Sequence, residues 1–147
     1  LTSFNSRFDD YAYRQDDSAL SASELRGMEL FFSERLECFH CHGGFNFTQS
    51  SQHAFQQLDF RPFHNTGLYN VNGEGAYPDS DQGLIEITLE PKDMGRFRAP
   101  TLRNIALTAP YMHNGSLATL DAVIAFYAAG GLGEGGCSPI KLSLIPI

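Results

Sequence analysis

The feature that most constrains this 147-residue chain is five residues long: Cys38-Phe39-His40-Cys41-His42. Two thiols three positions apart lie about one helical turn apart, on one side of a short helix. C-x-x-C-H is the attachment signature of a c-type haem. Each thiol forms a thioether to a haem vinyl group, and the following histidine brings its imidazole under the iron as proximal ligand. Three other readings use the same residues. A bare C-x-x-C can be a thioredoxin-like redox pair, which needs a preceding strand in a βαβ unit, but here the preceding segment reads as a helix. Cys38 and Cys41 can be half of a structural zinc site, which takes four ligands. The other candidates are Cys137, His53, His64 and His113, and no second paired cluster exists among them. The third is a chance pentapeptide.

Length and charge narrow the classes further. A chain of 147 residues suits one domain, and at that size roughly 68–70% of the unfolded surface is buried without disulfide staples. Lys and Arg number 10 against 17 Asp and Glu, a formal net charge of −7. That balance argues against a nucleic-acid binder, which carries a basic stripe, and against adhesion to an anionic membrane surface. No apolar run approaches the roughly 18 residues of a transmembrane helix. With 12 Phe, 6 Tyr and no Trp, the bulky packing is mostly phenyl. The opening Leu1-Thr2-Ser3-Phe4 has neither a basic n-region nor an apolar h-region. An exported protein of this kind has lost its signal, or the chain is part of a longer product.

Residues 1–20 are polar and aromatic without a clear period and read as a loosely packed N-terminal arm. Ser21-Ala22-Ser23-Glu24 is a capping box, and Leu25, Met28 and Phe32 follow at helical spacing, predicting a helix toward Leu36. Gly43-Gly44 stops any continuation past His42. From Phe45 to Phe97 the sequence is mostly irregular, with turn signals at Asn65-Thr66-Gly67, Asn72-Gly73, Tyr77-Pro78-Asp79 and Pro91-Lys92-Asp93. Loops of that length can pack around a large apolar prosthetic group. Leu84–Leu89 alternates enough for a short strand. Pro100 suits the first turn of a helix that Pro110 closes. Thr119 caps an amphipathic helix with Leu120, Val123, Ile124 and Tyr127 on one face, ended by Gly130-Gly131.

The block Phe97-Arg98-Ala99-Pro100-Thr101-Leu102-Arg103-Asn104-Ile105-Ala106-Leu107-Thr108-Ala109-Pro110-Tyr111-Met112-His113-Asn114-Gly115 is far more specific than C-x-x-C-H. Together with Cys38–His42 and the Thr119-Leu120-Asp121 helix start, it resembles the C-terminal half of the bacterial di-haem cytochrome c peroxidase/MauG superfamily. His64-Asn65-Thr66-Gly67-Leu68-Tyr69-Asn70 and Asp93-Met94-Gly95-Arg96 look most like its MbnH-type branch. The resemblance spans residues 20–131. It implies an all-α, cytochrome c-like haem domain over 21–131 with long irregular loops around the haem, followed by a divergent, poorly structured tail over 132–147. Family members carry two haem domains, each with its own C-x-x-C-H, and this chain has one. The chain therefore resembles a partial or split product whose partner is a second haem domain, from an N-terminal region or from another chain. A periplasmic location is implied as well.

The sixth iron ligand decides the chemistry. Met94 and Met112 are thioether candidates, and His64 and His113 are imidazole candidates. The resemblance points instead to Tyr127, the family's distal position near the end of the helix opening at Thr119. The alternative is a tyrosine that merely ends an apolar helix face. By resemblance, His113 stands next to the haem, and the main-chain carbonyls of Thr108 and Pro110 supply part of a calcium site whose remaining ligand belongs to the other domain. Arg98 and Arg103 suit haem propionates, because guanidinium matches carboxylate bidentately, although surface ion pairs explain them equally well. The implied function is an oxidoreductase domain that relays oxidising equivalents between a peroxide-reducing haem and a redox donor or protein substrate. The alternative is a stand-alone monohaem electron carrier. An acidic surface favours a neutral or basic docking partner.

Overall fold

The computed structural model describes residues 3–51 and 62–132. His53, Cys137 and the tail from residue 133 onward lie outside the described residues. Five helices and one two-stranded antiparallel sheet make up the regular structure described, with two short 3₁₀ turns. The expectation of an all-α domain therefore holds in part: the described structure is mostly helical, with a small two-stranded sheet.

The first helix, α1 (Arg7–Arg14), lies where a loose arm is expected from sequence. Its start is a capping box: the Ser6 hydroxyl accepts from the Asp9 amide, and the Asp9 carboxylate accepts from the Ser6 amide. Asp9 is 2% exposed, so this segment is anchored rather than loose. Helix α2 (Ala22–Phe31) starts on the expected Ser21–Glu24 box. It stops five residues short of Leu36, where the Ser33 hydroxyl turns back to the Leu30 carbonyl at 2.7 Å and competes with the helical ladder. Arg7 and Glu24 join the two helices through an exposed fork at 2.6 and 2.9 Å.

Helix α3 (Phe39–His42) is a single turn carrying the cysteine pair, closed by the His42 amide on the Cys38 carbonyl at 2.9 Å. Gly43 ends it for a steric reason: a Cβ there would stand 2.6 Å from the Phe39 carbonyl oxygen. Strands β1 (Phe63–Asn65) and β2 (Arg96–Arg98) pair antiparallel, with His64 opposite Phe97. The predicted strand over Leu84–Leu89 is instead α4 (Ile85–Thr88), one turn between Gly83 and Leu89, both at positive φ. Alternation over six residues does not separate one helical turn from a strand. Here the local bonds from Thr88 to Leu84 and from Leu89 to Ile85 prevail.

The predicted helix from Pro100 to Pro110 is likewise replaced, by an irregular stretch after β2 and a 3₁₀ turn at Ile105–Leu107. Proline disfavours the helical region for the residue before it, and Ala99 lies outside any helix. Asn104 at φ 60° breaks any continuation. The last helix, α5 (Leu120–Ala128), forms as expected, its Thr119 hydroxyl accepting from the Ala122 amide. Leu120 and Ile124 of its apolar stripe are 36% and 66% exposed.

Among the described residues, close packing surrounds the two-stranded sheet. Leu68 and Tyr77 are each 3% exposed. The Tyr77 hydroxyl accepts from the Leu68 amide at 3.0 Å and donates to Asn65 at 2.8 Å. Gly95, at φ 68°, lets the chain lie against that ring, since a Cβ would come within 2.2 Å of it.

Candidate haem-attachment site

One turn of helix brings Cys38, Cys41 and His42 together, and both thiols are partly buried. Burial pushes the Cys38 thiol above its ordinary pKa, and its Sγ donates to the Leu36 carbonyl at 3.6 Å. His42 Nδ1 lies 3.2 Å from the Phe47 carbonyl oxygen. A carbonyl only accepts, so Nδ1 carries the proton and Nε2 keeps the lone pair that a metal requires. Burial holds the His42 imidazole below its ordinary pKa, partly offset by the Phe47 and Pro100 carbonyls. The ring is thus neutral, the form in which histidine ligates. Among the described residues, no group of three or more His, Cys, Asp or Glu gathers as a metal cage would require. The donor set at this turn, two thiols and one lone-pair imidazole nitrogen held through its other nitrogen, fits a covalently attached haem with a proximal histidine.

The loop after the turn is tied to the 99–103 segment. The buried Thr48 hydroxyl donates to the Ala99 carbonyl at 2.6 Å, and the Thr101 hydroxyl donates to the Asn46 carbonyl at 2.5 Å. On the other side, the Gln49 amide bonds the Cys41 carbonyl at 3.1 Å, and the Gln49 side chain meets His64 Nε2 at 3.2 Å. Burial, with a smaller contribution from Arg96, lowers the pKa of His64. The 99–101 segment therefore fastens the loop that follows the Cys38–His42 turn, and the two-stranded sheet sits beside it.

Tyr127 lies near the C-terminal end of α5, its ring 5.7 Å from that of Phe126. The end of α5 is fixed to the segment just after β1: the Leu132 amide donates to the Gly67 carbonyl at 2.6 Å, and Gly131 packs on Thr66 and Gly67. His113 stacks on Phe97 with centroids 3.7 Å apart and meets Asp81 at 2.8 Å, so it stands against β2. Arg98 is exposed and gives one bond, to the Ser50 carbonyl at 3.1 Å. Thr108 and Pro110 lie on an exposed loop.

Arg103 departs from expectation. Its five N–H donors meet Asp9 (3.0 and 3.0 Å), the Phe45 carbonyl (3.0 and 2.7 Å) and the Ser3 carbonyl (2.8 Å). Its side chain is 8% exposed, and every one of these donors meets a protein acceptor. Asp9 was not legible as a site residue, although Ser6-x-x-Asp9 is itself a capping-box signal.

No family model matches the chain. Curated relatives do. The chain is 38% identical over 136 residues to the cytochrome-c peroxidase IdrP1 of Pseudomonas sp., covering 84% of this chain and 35% of that protein. It is 32% identical to the cytochrome c551 peroxidase of Pseudomonas aeruginosa over 91% of this chain and 35% of the relative. With MauG of Methylorubrum extorquens it shares 32% identity over 89% of this chain and 32% of the relative. A crystal structure of a MauG-like protein associated with microbial copper homeostasis is 48% identical with a TM-score of 0.82, covering 96% of this chain and 41% of that one. The chain spans about a third of the length of the first two curated relatives. A Cys38–His42 turn of this geometry, embedded in a fold and sequence shared with those proteins, places the chain in the cytochrome c peroxidase/MauG superfamily.

Proposed function

We propose that this chain is the C-terminal haem domain of a periplasmic di-haem oxidoreductase, and that it relays oxidising equivalents between a peroxide-reducing haem elsewhere in the assembly and a donor or protein substrate. The observation that carries the reading is the His42 Nδ1–H bond to the Phe47 carbonyl, which orients Nε2 as a metal ligand. The bound haem supplies one-electron chemistry at its iron. Cys38 and Cys41 would hold it covalently, and His42 and Tyr127 would ligate its iron. A phenolate is a hard, anionic donor that favours the ferric state, which suits storage of an oxidising equivalent. Arg98 is the propionate partner, and His113, stacked on Phe97, lines the haem's surroundings. The Thr108 and Pro110 carbonyls offer part of a calcium site completed by the second haem domain. The 48% identity to a MauG-like protein, against 32–39% for the curated relatives cited and a second IdrP1, supports a MauG-like reading, within which His64–Asn70 and Asp93–Arg96 resemble the MbnH-type branch.

The experiment is turnover of peroxide with an electron donor by the longest natural product containing this chain. Activity that disappears in His42→Ala supports the relay. A haem-loaded protein that exchanges electrons but never consumes peroxide would instead mark a monohaem carrier.

A further inference from the structure

Resting on the haem assignment above, we propose that Asp9 and Arg103 are a positioning pair for His42, holding the 45–47 turn so that the Phe47 carbonyl accepts from Nδ1 and sets the donor strength of the imidazole. The Phe47 carbonyl does not reach that position by local preference. Phe47 sits at φ 50°, a left-handed conformation that costs a non-glycine residue about 1–2 kcal/mol. The turn has local bonds, from the Phe47 amide to the Gly44 carbonyl at 3.0 Å and from the Thr48 amide to the Gly43 carbonyl at 2.9 Å, and contacts from distant parts of the chain add to them. Arg103 Nε and Nη2 both donate to the Phe45 carbonyl, at 3.0 and 2.7 Å. Its guanidinium also lies over the rings of Phe45 and Phe47, 4.7 and 5.5 Å from their centroids.

The guanidinium is aimed in turn by Asp9, through a two-bond fork at 3.0 Å on each arm. Asp9 is itself fixed by the Ser6 amide and hydroxyl, at 3.0 and 2.6 Å. The line of force therefore runs from the start of α1 through Arg103 to the Phe47 carbonyl and on to His42. Hydrogen bonding to the far nitrogen of a ligating histidine fixes the ring and raises its basicity. A more basic imidazole stabilises ferric over ferrous iron and lowers the reduction potential.

The test is a potentiometric titration of the haem in the purified holoprotein. Arg103→Lys keeps the positive charge but loses the fork and the paired bonds to Phe45. Asp9→Asn keeps Arg103 but weakens its aim. Glu24→Gln breaks the exposed Arg7–Glu24 pair between α1 and α2 and serves as the control. Loss of one such hydrogen bond changes the reduced-to-oxidised ratio at fixed potential by roughly three- to tenfold, and tenfold is about 59 mV for a one-electron couple. The expected result is a positive shift in R103K, a smaller one of the same sign in D9N, and none in E24Q. Haem-loaded R103K and D9N with the potential of E24Q overturn the proposal. If R103K does not fold, D9N against E24Q carries the same decision. A wild-type protein that binds no haem overturns the functional reading, and this inference with it.

Discussion

Asp9 is the point at which acid should loosen the molecule. Its carboxyl is 3% exposed and paired with an Arg103 side chain that is 8% exposed. The Arg103 hydrogen bonds, helped by Ser6 and opposed by burial, lower its pKa from 3.8 to about 2. A carboxyl whose folded pKa lies below its ordinary value contributes stability that is complete above about pH 4 and lost as pH falls toward about 2. Nearly two units at 1.36 kcal/mol each make that contribution roughly 2.5 kcal/mol. Asp9→Asn removes the charge at every pH and leaves a buried guanidinium short of its counter-charge, a change that costs about 3–5 kcal/mol in comparable pairs. The retained amide oxygen puts the expected loss near the lower figure, about 3 kcal/mol. Urea unfolding followed by far-ultraviolet circular dichroism measures both. The gap between wild type and D9N should be about 3 kcal/mol at neutral pH and narrow steeply from about pH 4 to about pH 2. Glu24, also lowered to about 2, titrates in both proteins and drops out of the difference. A D9N variant within about 0.5 kcal/mol of wild type at neutral pH, or a gap that does not change across that window, refutes the reasoning.

Gly95→Ala should cost about 3 kcal/mol, combining a left-handed backbone with overpacking against the Tyr77 ring 2.2 Å from the new Cβ. Gly73→Ala, also at positive φ but with nothing within 4 Å, should cost only about 1 kcal/mol, and equal losses in the two melts would show that crowding is irrelevant. Tyr127→Phe should change the ferric absorption and electron paramagnetic resonance spectra of the holoprotein. Unchanged spectra would remove Tyr127 as the distal ligand in favour of Met94, Met112, His64 or His113.

Short-range chemistry was the legible part of this sequence. The Ser21–Glu24 box and the Thr119 cap start helices where they should, because capping is decided within four residues. C-x-x-C-H announces its own turn for the same reason. Leu84–Leu89 and Pro100–Pro110 fold differently from their patterns because each pattern is locally ambiguous. The outcome is set by backbone at positive φ, at Gly83 and Leu89 for the first and at Asn104 for the second. Arg103 shows the limit most clearly. A lone arginine in a motif suggests an anionic ligand, yet its partner is Asp9, 94 residues away in sequence, in a segment whose polar and aromatic composition conceals a helix. The His42–Phe47 bond was equally invisible, since backbone carbonyls leave no mark in a residue pattern.

The central claim is covalent attachment of haem at Cys38 and Cys41. It is tested by expressing the chain in cells equipped for c-type haem attachment, extracting the purified protein with acidified acetone, and recording the reduced pyridine haemochrome spectrum of the polypeptide. The account predicts one c-type haem retained per chain, lost to the solvent in the double variant Cys38→Ala/Cys41→Ala. A wild-type polypeptide that emerges colourless, or one whose haem is equally extractable with and without the two cysteines, would contradict it.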